Sequence, residues 1–320
     1  MKQVDDIIYK EALDLINDSH YILIVTHINP DADTISCALA LSNYFHENKI
    51  KHKVFNKMKQ LPNNLDFLSK FDKITDQLPK FYDLIIYVDC ANQSRVAIDF
   101  DKDIKIINID HHKSNDNFGI INIVNEHKSS TAEVVYKFFL ENNLHISKQI
   151  AQCLYTGVYD DSLKFSTPRC DDSTFDVANN LVKLGANPSQ IATSLNRRDS
   201  LAKYRLLPKI LESLELHLEG RVATIYVLPQ WLEQTGAKYS ECEVVTDMIL
   251  NIAIVDIAIF FRESNGKTRV SIRSKNDVDV TFIAEQFNGG GHKMAAGCSC
   301  ETQDVLEAKD MIINYIKDNI

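Results

Sequence analysis

Short, continuously apolar runs alternate through the first half of the chain with longer stretches in which apolar positions recur every three or four residues. Strands buried on both faces are apolar throughout, and the helices that cross between them are amphipathic, so the alternation predicts a mostly parallel sheet flanked by helices. Tyr21–Val25, Leu84–Val88 and Ile104–Ile109 are the expected strands. Thr34–Asn48, Thr131–Asn142, Lys148–Tyr159 and Ser173–Leu184 are the expected helices, the last stopped by Gly185.

Beyond Pro188 the rhythm becomes a charged, Leu-rich helical stretch, Ser200–His217, and Gly220 then opens a second strand-rich region. Strands are expected at Arg221–Val227, Ile254–Arg262 and Thr268–Arg273, with helices at Glu241–Leu250, Val280–Phe287 and Val305–Ile320. The fold class is therefore α/β, in two α/β domains. An N-terminal domain, residues 1–190, carries the parallel sheet, residues 191–219 form a helical linker, and residues 220–320 form a smaller C-terminal domain with a mixed sheet. There is no internal repeat and no low-complexity tract.

With 320 residues, 45% of them hydrophobic and 25% charged, the chain can fill two cores. Its first residues are acidic and amphipathic, unlike a signal peptide, and no run approaches the roughly 20 apolar residues that span a bilayer. A cytoplasmic protein with no membrane partner is the expectation. Seven cysteines without a CxxC pair argue against a disulfide framework and a structural zinc site. A formal charge of −9 disfavours a grip on long nucleic acid, so a polyanionic substrate should be short.

The chemistry gathers where the first-domain strands end. His27, Asp31 and Asp33 follow the first strand, Asp89 the second, and Asp110-His111-His112 the third. Ligands of open parallel sheets bind beyond the carboxyl ends of the strands. Thr156-Gly157-Val158-Tyr159-Asp160-Asp161, at the end of a helical segment, can bring another carboxylate to that place. So many like charges raise one another's pKa values unless a cation joins them. Oxygen-rich ligands with a few imidazoles suit manganese, magnesium or iron, and zinc stays open. Each piece has a plainer reading when taken alone: Asp33 as a helix cap, the histidines as loop residues, Asp160-Asp161 as a solvated helix end. Their joint order is what makes them specific.

HxxPDxD, a strand-terminal Asp, DHH, and a Gly-containing segment ending in Asp resemble the DHH phosphoesterase superfamily. Asn288-Gly289-Gly290-Gly291-His292, preceded by Ser271-Ile272-Arg273-Ser274, resembles the GGGH loop of the DHH-associated nucleotide-binding domain. The combination is most similar to the nanoRNase and pAp-phosphatase group. That resemblance implies two divalent ions, manganese foremost and magnesium or another ion as alternatives. One would be held by His27, Asp31 and Asp89, the other by Asp33, Asp89, His111 and Asp161. Asp110 would orient the imidazoles, and His112 would contact the scissile phosphate and protonate the leaving oxygen. Hydroxide would attack phosphorus in line with the departing oxygen.

Arg273, Gly289, Gly290, Gly291 and His292 would bind the terminal nucleotide across an interdomain cleft. The implied partners are short oligoribonucleotides or 3′-phosphoadenosine 5′-phosphate (pAp), and a homodimer is compatible with all of this. A cyclic dinucleotide (c-di-AMP) phosphodiesterase is the alternative activity, and a non-catalytic nucleotide sensor the rival of another class. Two positions depart from the family pattern. Ser36-Cys37 stands for its usual Gly-Ser, and Ser162-Leu163 for the Thr-Gly that follows the fourth-motif Asp.

Overall fold

The computed structural model describes residues 2–242, 244–276 and 278–319, with the side chains of residues 2–6 set aside. The chain divides into two compact units, Met1–Arg198 and Asp199–Ile320. No helix among the described residues is long and apolar enough to cross a membrane.

The first unit runs α1 (Lys2–Asp18), β1 (Ile22–Val25), α2 (Ala32–Glu47), β2 (His52–Phe55), β3 (Leu84–Val88), β4 (Lys105–Asp110), β5 (Ile121–Val124), α3 (Thr131–Glu141), α4 (Lys148–Asp161), α5 (Asp172–Lys183) and α6 (Pro188–Asn196). Its five strands, ordered β2-β1-β3-β4-β5, are all parallel. The central strands are buried on both faces, as their unbroken apolarity requires. Ile22, Ile24, Leu84, Ile86 and Val88 pack beneath residues of α2, α3 and α4. The alternate residues Leu23, Val25, Ile85 and Tyr87 meet Val96, Phe100 and Phe118 from irregular segments on the other side. Because all strands run one way, β1, β3 and β4 deliver Thr26-His27, Asp89 and Asp110-His111-His112 to a single edge.

The second unit runs α7 (Leu201–Leu211), β6 (Glu215–His217), β7 (Val222–Val227), α8 (Pro229–Thr235), α9 (Val244–Leu250), β8 (Ile257–Ser264), β9 (Lys267–Ser274), α10 (Thr281–Gln286), β10 (Gly290–His292), β11 (Ala295–Cys300) and α11 (Val305–Asn319). Its six strands, ordered β10-β11-β9-β8-β7-β6, are antiparallel except for the parallel pair β7–β8. On one face Ile257, Ile259, Phe261, Val270 and Ile272 pack against α10 and α11. On the other, Ala258 and Phe260 meet α7, α8 and α9.

The mostly parallel first sheet and the mixed second sheet match the sequence reading, with corrections at several elements. Ser200–His217 is not one helix, because α7 stops at Leu211 and the chain re-enters as β6. The stretch 191–219 is thus divided, α6 falling in the first unit and α7 with β6 in the second. The strand expected from Ile254 starts only at Ile257, after a turn. The edge strands β2, β5, β6 and β10 were not expected, being short and only partly buried. Nor were β11, with its small residues, and the seven-residue α8.

Candidate metal centre and nucleotide-binding face

His27 leaves β1 with its backbone carbonyl accepting from Asn56 Nδ2 at 2.8 Å. Its Nδ1 lies 2.8 Å from the Ile28 carbonyl, which fixes the tautomer that donates there and turns Nε2 toward carboxylates. Nε2 is 3.6 Å from Asp31 Oδ2 and 3.5 Å from Asp89 Oδ2. Burial alone would lower the pKa of His27, but the hydrogen bonds to Asp31 and Asp89 override it and raise the value to about 10.

The helix cap at the start of α2 is Asp31, whose carboxylate accepts from Thr34 N at 3.0 Å. Asp33, read singly as a cap, lies inside the helix and serves a different one. Its two oxygens accept from Thr131 N at 2.6 Å and Ala132 N at 3.0 Å, the first amides of α3. Its carboxyl is nevertheless pushed well above the usual range, first by burial and then by the charges of Asp89, Asp161 and Asp31.

Asp89 occupies the centre. It ends β3 in a left-handed conformation, φ 58°, which costs a non-glycine residue about 1 kcal/mol and turns the carboxylate into the crevice. Oδ2 faces His27, while Oδ1 lies 3.8 Å from His111 Nε2 and 3.6 Å from His112 Nδ1. The Thr131 hydroxyl donates to Oδ1 at 2.8 Å. His111 Nδ1 meets the Lys128 carbonyl at 3.2 Å, and its Nε2 lies 3.3 Å from Asp161 Oδ2. Burial lowers the pKa of His111, keeping a neutral imidazole with a free lone pair.

Asp110 is fully buried and bound on both oxygens. Oδ1 accepts from His111 N at 2.8 Å and from His112 Nδ1 at 2.7 Å, and Oδ2 accepts from Asn115 Nδ2 at 2.5 Å. The hydrogen bond to Asp110 holds the pKa of His112 above the ordinary histidine value, against the effect of burial.

Three groups of donor atoms lie within 4.8 Å of one another: His27, Asp31 and Asp89; Asp89, His111 and His112; and Asp33, His111 and Asp161. The sequence-derived ligands are thus brought together. Asp161 rather than Asp160 approaches His111. Burial followed by the Asp89 charge lifts Asp161 to about 7, and burial with Asp31 lifts Asp160 to about 6. Buried, mutually repelling carboxylates interleaved with imidazoles whose Nδ1 is already committed to a carbonyl are a donor set that fits divalent cations.

Gly157 of α4 is required by this packing. A Cβ there would lie 2.5 Å from Asp33 Oδ1 and 2.6 Å from Ser36 Oγ. Four residues later α4 ends in a Schellman motif: Leu163 N donates to the Asp160 carbonyl at 2.9 Å and Lys164 N to the Tyr159 carbonyl at 2.8 Å. Leu163 takes the left-handed position, φ 48°, where glycine is the unstrained choice, at about 1 kcal/mol.

Sequence reasoning passed over the support of this centre. Thr131, Ala132 and the Lys128 carbonyl touch Asp89, Asp33 and His111, and Asn115 touches Asp110. Ser130 with Glu133 is a capping signature that locates the start of α3, but what that helix start faces is not written in it.

In the second unit Arg262 on β8 stands directly opposite Arg269 on β9. Among the described residues neither guanidinium has a carboxylate in ion-pair contact. Both line a cavity of about 430 Å³ with Ser271, Asn288, Gly289, Gly297 and Ser299. Arg273 lines a neighbouring cavity of about 240 Å³ that shares Arg262 and Ser271. Of the residues expected to bind nucleotide, Gly289 and Arg273 lie here. Gly290, Gly291 and His292 form β10, the exposed edge strand. The close approach that glycine allows at 289 is to the protein's own β11, since a Cβ would lie 2.2 Å from the Gly297 carbonyl oxygen. Arg262 and Arg269 went unnoticed because their cross-strand pairing is invisible before the register is known.

A sheet whose strand ends converge histidines and aspartates, followed by a mixed-sheet unit with a cationic face, defines a phosphoesterase of the DHH type. Residues 21–158 match the DHH family, N-terminal domain, and residues 219–318 match the DHHA1 domain. The chain belongs to the DHH family and carries its DHHA1 domain. It is similar to the bifunctional oligoribonuclease and PAP phosphatase NrnA of Bacillus subtilis, 27% identical over 88% of this chain and 90% of that one. The protein of that name from Thermus thermophilus is 27% identical over 93% and 90%. The crystal structure of an exopolyphosphatase-related protein from Bacteroides fragilis superposes with a TM-score of 0.87 at 22% identity, covering 97% of this chain and 96% of that one, and shares the fold.

Proposed function

We propose that this phosphoesterase hydrolyses short oligoribonucleotides and pAp to mononucleotides with two divalent cations, manganese foremost. His27, Asp31 and Asp89 would hold one cation, and Asp33, Asp89, His111 and Asp161 the other. The observation that carries this reading is the overlap of the three donor groups at Asp89 and His111. The substrates come from the two NrnA relatives, which align along nearly their whole length.

Cations so placed would activate water and neutralise charge growing on the phosphoryl oxygens. The chain's own residues supply the rest. Asp110 accepts from His112 Nδ1 and keeps the imidazolium charged, so that His112, half-exposed at the mouth, can meet the phosphate and give its proton to the departing ribose oxygen. Asp33 and Asp89 are locked by α3 before substrate arrives, so little reorganisation remains. Arg262, Arg269 and Arg273, with Gly289 and the GGGH strand, would hold the phosphate and sugar of the nucleotide.

The test is a parallel assay of the purified chain with manganese and with magnesium on a diribonucleotide, a longer oligoribonucleotide, pAp and c-di-AMP. Faster turnover of the linear dinucleotide and pAp supports the reading. Preferential opening of c-di-AMP, or no hydrolysis with any cation, overturns it.

A further inference from the structure

Directly beyond Asp161, Leu163, Lys164 and Phe165 all take left-handed conformations, at φ 48°, 63° and 65°. Three successive non-glycine residues in that region are held only where the surroundings over-determine them, and such strain gathers at functional positions. The turn does two things. It leaves Leu163 66% exposed, and it carries Phe165 beneath Phe175, with ring centroids 5.4 Å apart and planes 28° from parallel. Phe165 is in turn edge-packed on Tyr155 and Tyr159, so the pair has a firm base. Phe175 remains 54% exposed, with one face on Phe165.

The start of α5, which carries Phe175, is tied to the metal centre. Lys128, whose carbonyl accepts from His111, reaches Ser173 Oγ with its amine at 2.5 Å. Lys164 and Arg169 are exposed on the loop that joins Leu163 to α5. An exposed leucine and an exposed phenylalanine joined by a loop that carries two cations, close in the chain to Asp161, have the chemistry that receives an unpaired base with its phosphates.

We infer that Leu163 and Phe175 form a stacking ledge for a nucleobase of the oligoribonucleotide adjoining the cleaved bond. A glycine would remove the strain at position 163 and, with it, the exposed leucine side chain. The inference rests on the reading of the chain as an oligoribonuclease, and its test separates the two.

KM is measured with manganese for a diadenylate and for its two analogues carrying an abasic ribose at one position or the other, using wild type, Leu163→Gly and Phe175→Ala. The wild type should favour the diadenylate over one abasic analogue by roughly tenfold. That ratio should collapse toward one in both variants, while Leu163→Gly melts no lower than wild type because its turn is relaxed. Titration of each protein with a non-hydrolysable diadenylate reads the same ratio without turnover. Wild-type hydrolysis with the ratio preserved in both variants overturns the ledge and leaves the function standing. Absence of hydrolysis overturns the function, and the titration then decides the ledge alone.

Discussion

The two units handle charge in opposite ways. In the first, like charges are packed together, buried and fixed: Asp33 by two backbone amides, Asp89 by a threonine hydroxyl, Asp110 by an amide, a histidine and an asparagine. In the second, Arg262 and Arg269 face each other across neighbouring strands beside an open cavity. Burial of charge with directed donors makes geometry that exists before the ligand arrives. The guanidinium of Arg262 is half-buried over the ring of Tyr239, whereas that of the exposed Arg269 must be ordered by the ligand. Changes in the first unit should therefore act on cation affinity and kcat, and changes on the second unit's face on KM.

The most damaging substitution should be Asp89→Ala. It removes the one carboxylate common to the His27 and His111 groups. Several kcal/mol of charge stabilisation would go with it, lowering kcat by about a thousandfold. The fold should survive, because relief of a buried, mutually repelling carboxylate offsets the lost hydrogen bond to Thr131, while the left-handed backbone at 89 remains as it was. Circular dichroism and manganese-dependent turnover of the two proteins check both halves. Equal rates would remove the basis for the shared-carboxylate centre.

A smaller effect is expected one step out. Thr131→Val deletes the hydroxyl that donates to Asp89 Oδ1 while keeping shape and the backbone amide that holds Asp33. Loss of a residue that orients a ligand costs about 10- to 100-fold in metal affinity. Calorimetric manganese titration should show that loss in Thr131→Val and its recovery in Thr131→Ser. A purely structural role would lower the melting temperature with affinity intact.

This division also sorts what the sequence made legible. The candidate ligands could be picked out because they follow an apolar strand within a few residues or stand at a fixed interval after Gly157, and a parallel sheet leaves those strand ends one place to go. Thr131, Asn115 and the Lys128 carbonyl were not, since hydrogen-bonding residues of loops and helix starts carry no periodic signal. The second unit was harder still. Its edge strands β6 and β10 each span three residues and are exposed, so no alternation of burial marks them. The opposition of Arg262 and Arg269 depends on a register that only the β8–β9 hairpin supplies.

The smallest effect should come from that hairpin, and it bears most directly on the contrast between the units. Arg262→Ala removes one of two like charges placed opposite each other but also the guanidinium's contact with the Tyr239 ring, so stability should stay within about 1 kcal/mol of wild type. A charge-assisted hydrogen bond to phosphate contributes about 1.5 kcal/mol, which corresponds to a KM roughly tenfold higher with kcat unchanged. The salt dependence of log KM should also flatten by about 0.7, the slope carried by one contact to single-stranded phosphate. Arg273→Ala, in the adjoining cavity, should behave alike, whereas His292→Ala on the exposed edge strand should raise KM less. A fall in kcat at constant KM in Arg262→Ala would show that this face acts on the reacting phosphate itself, and the separation of roles between the two units would no longer hold.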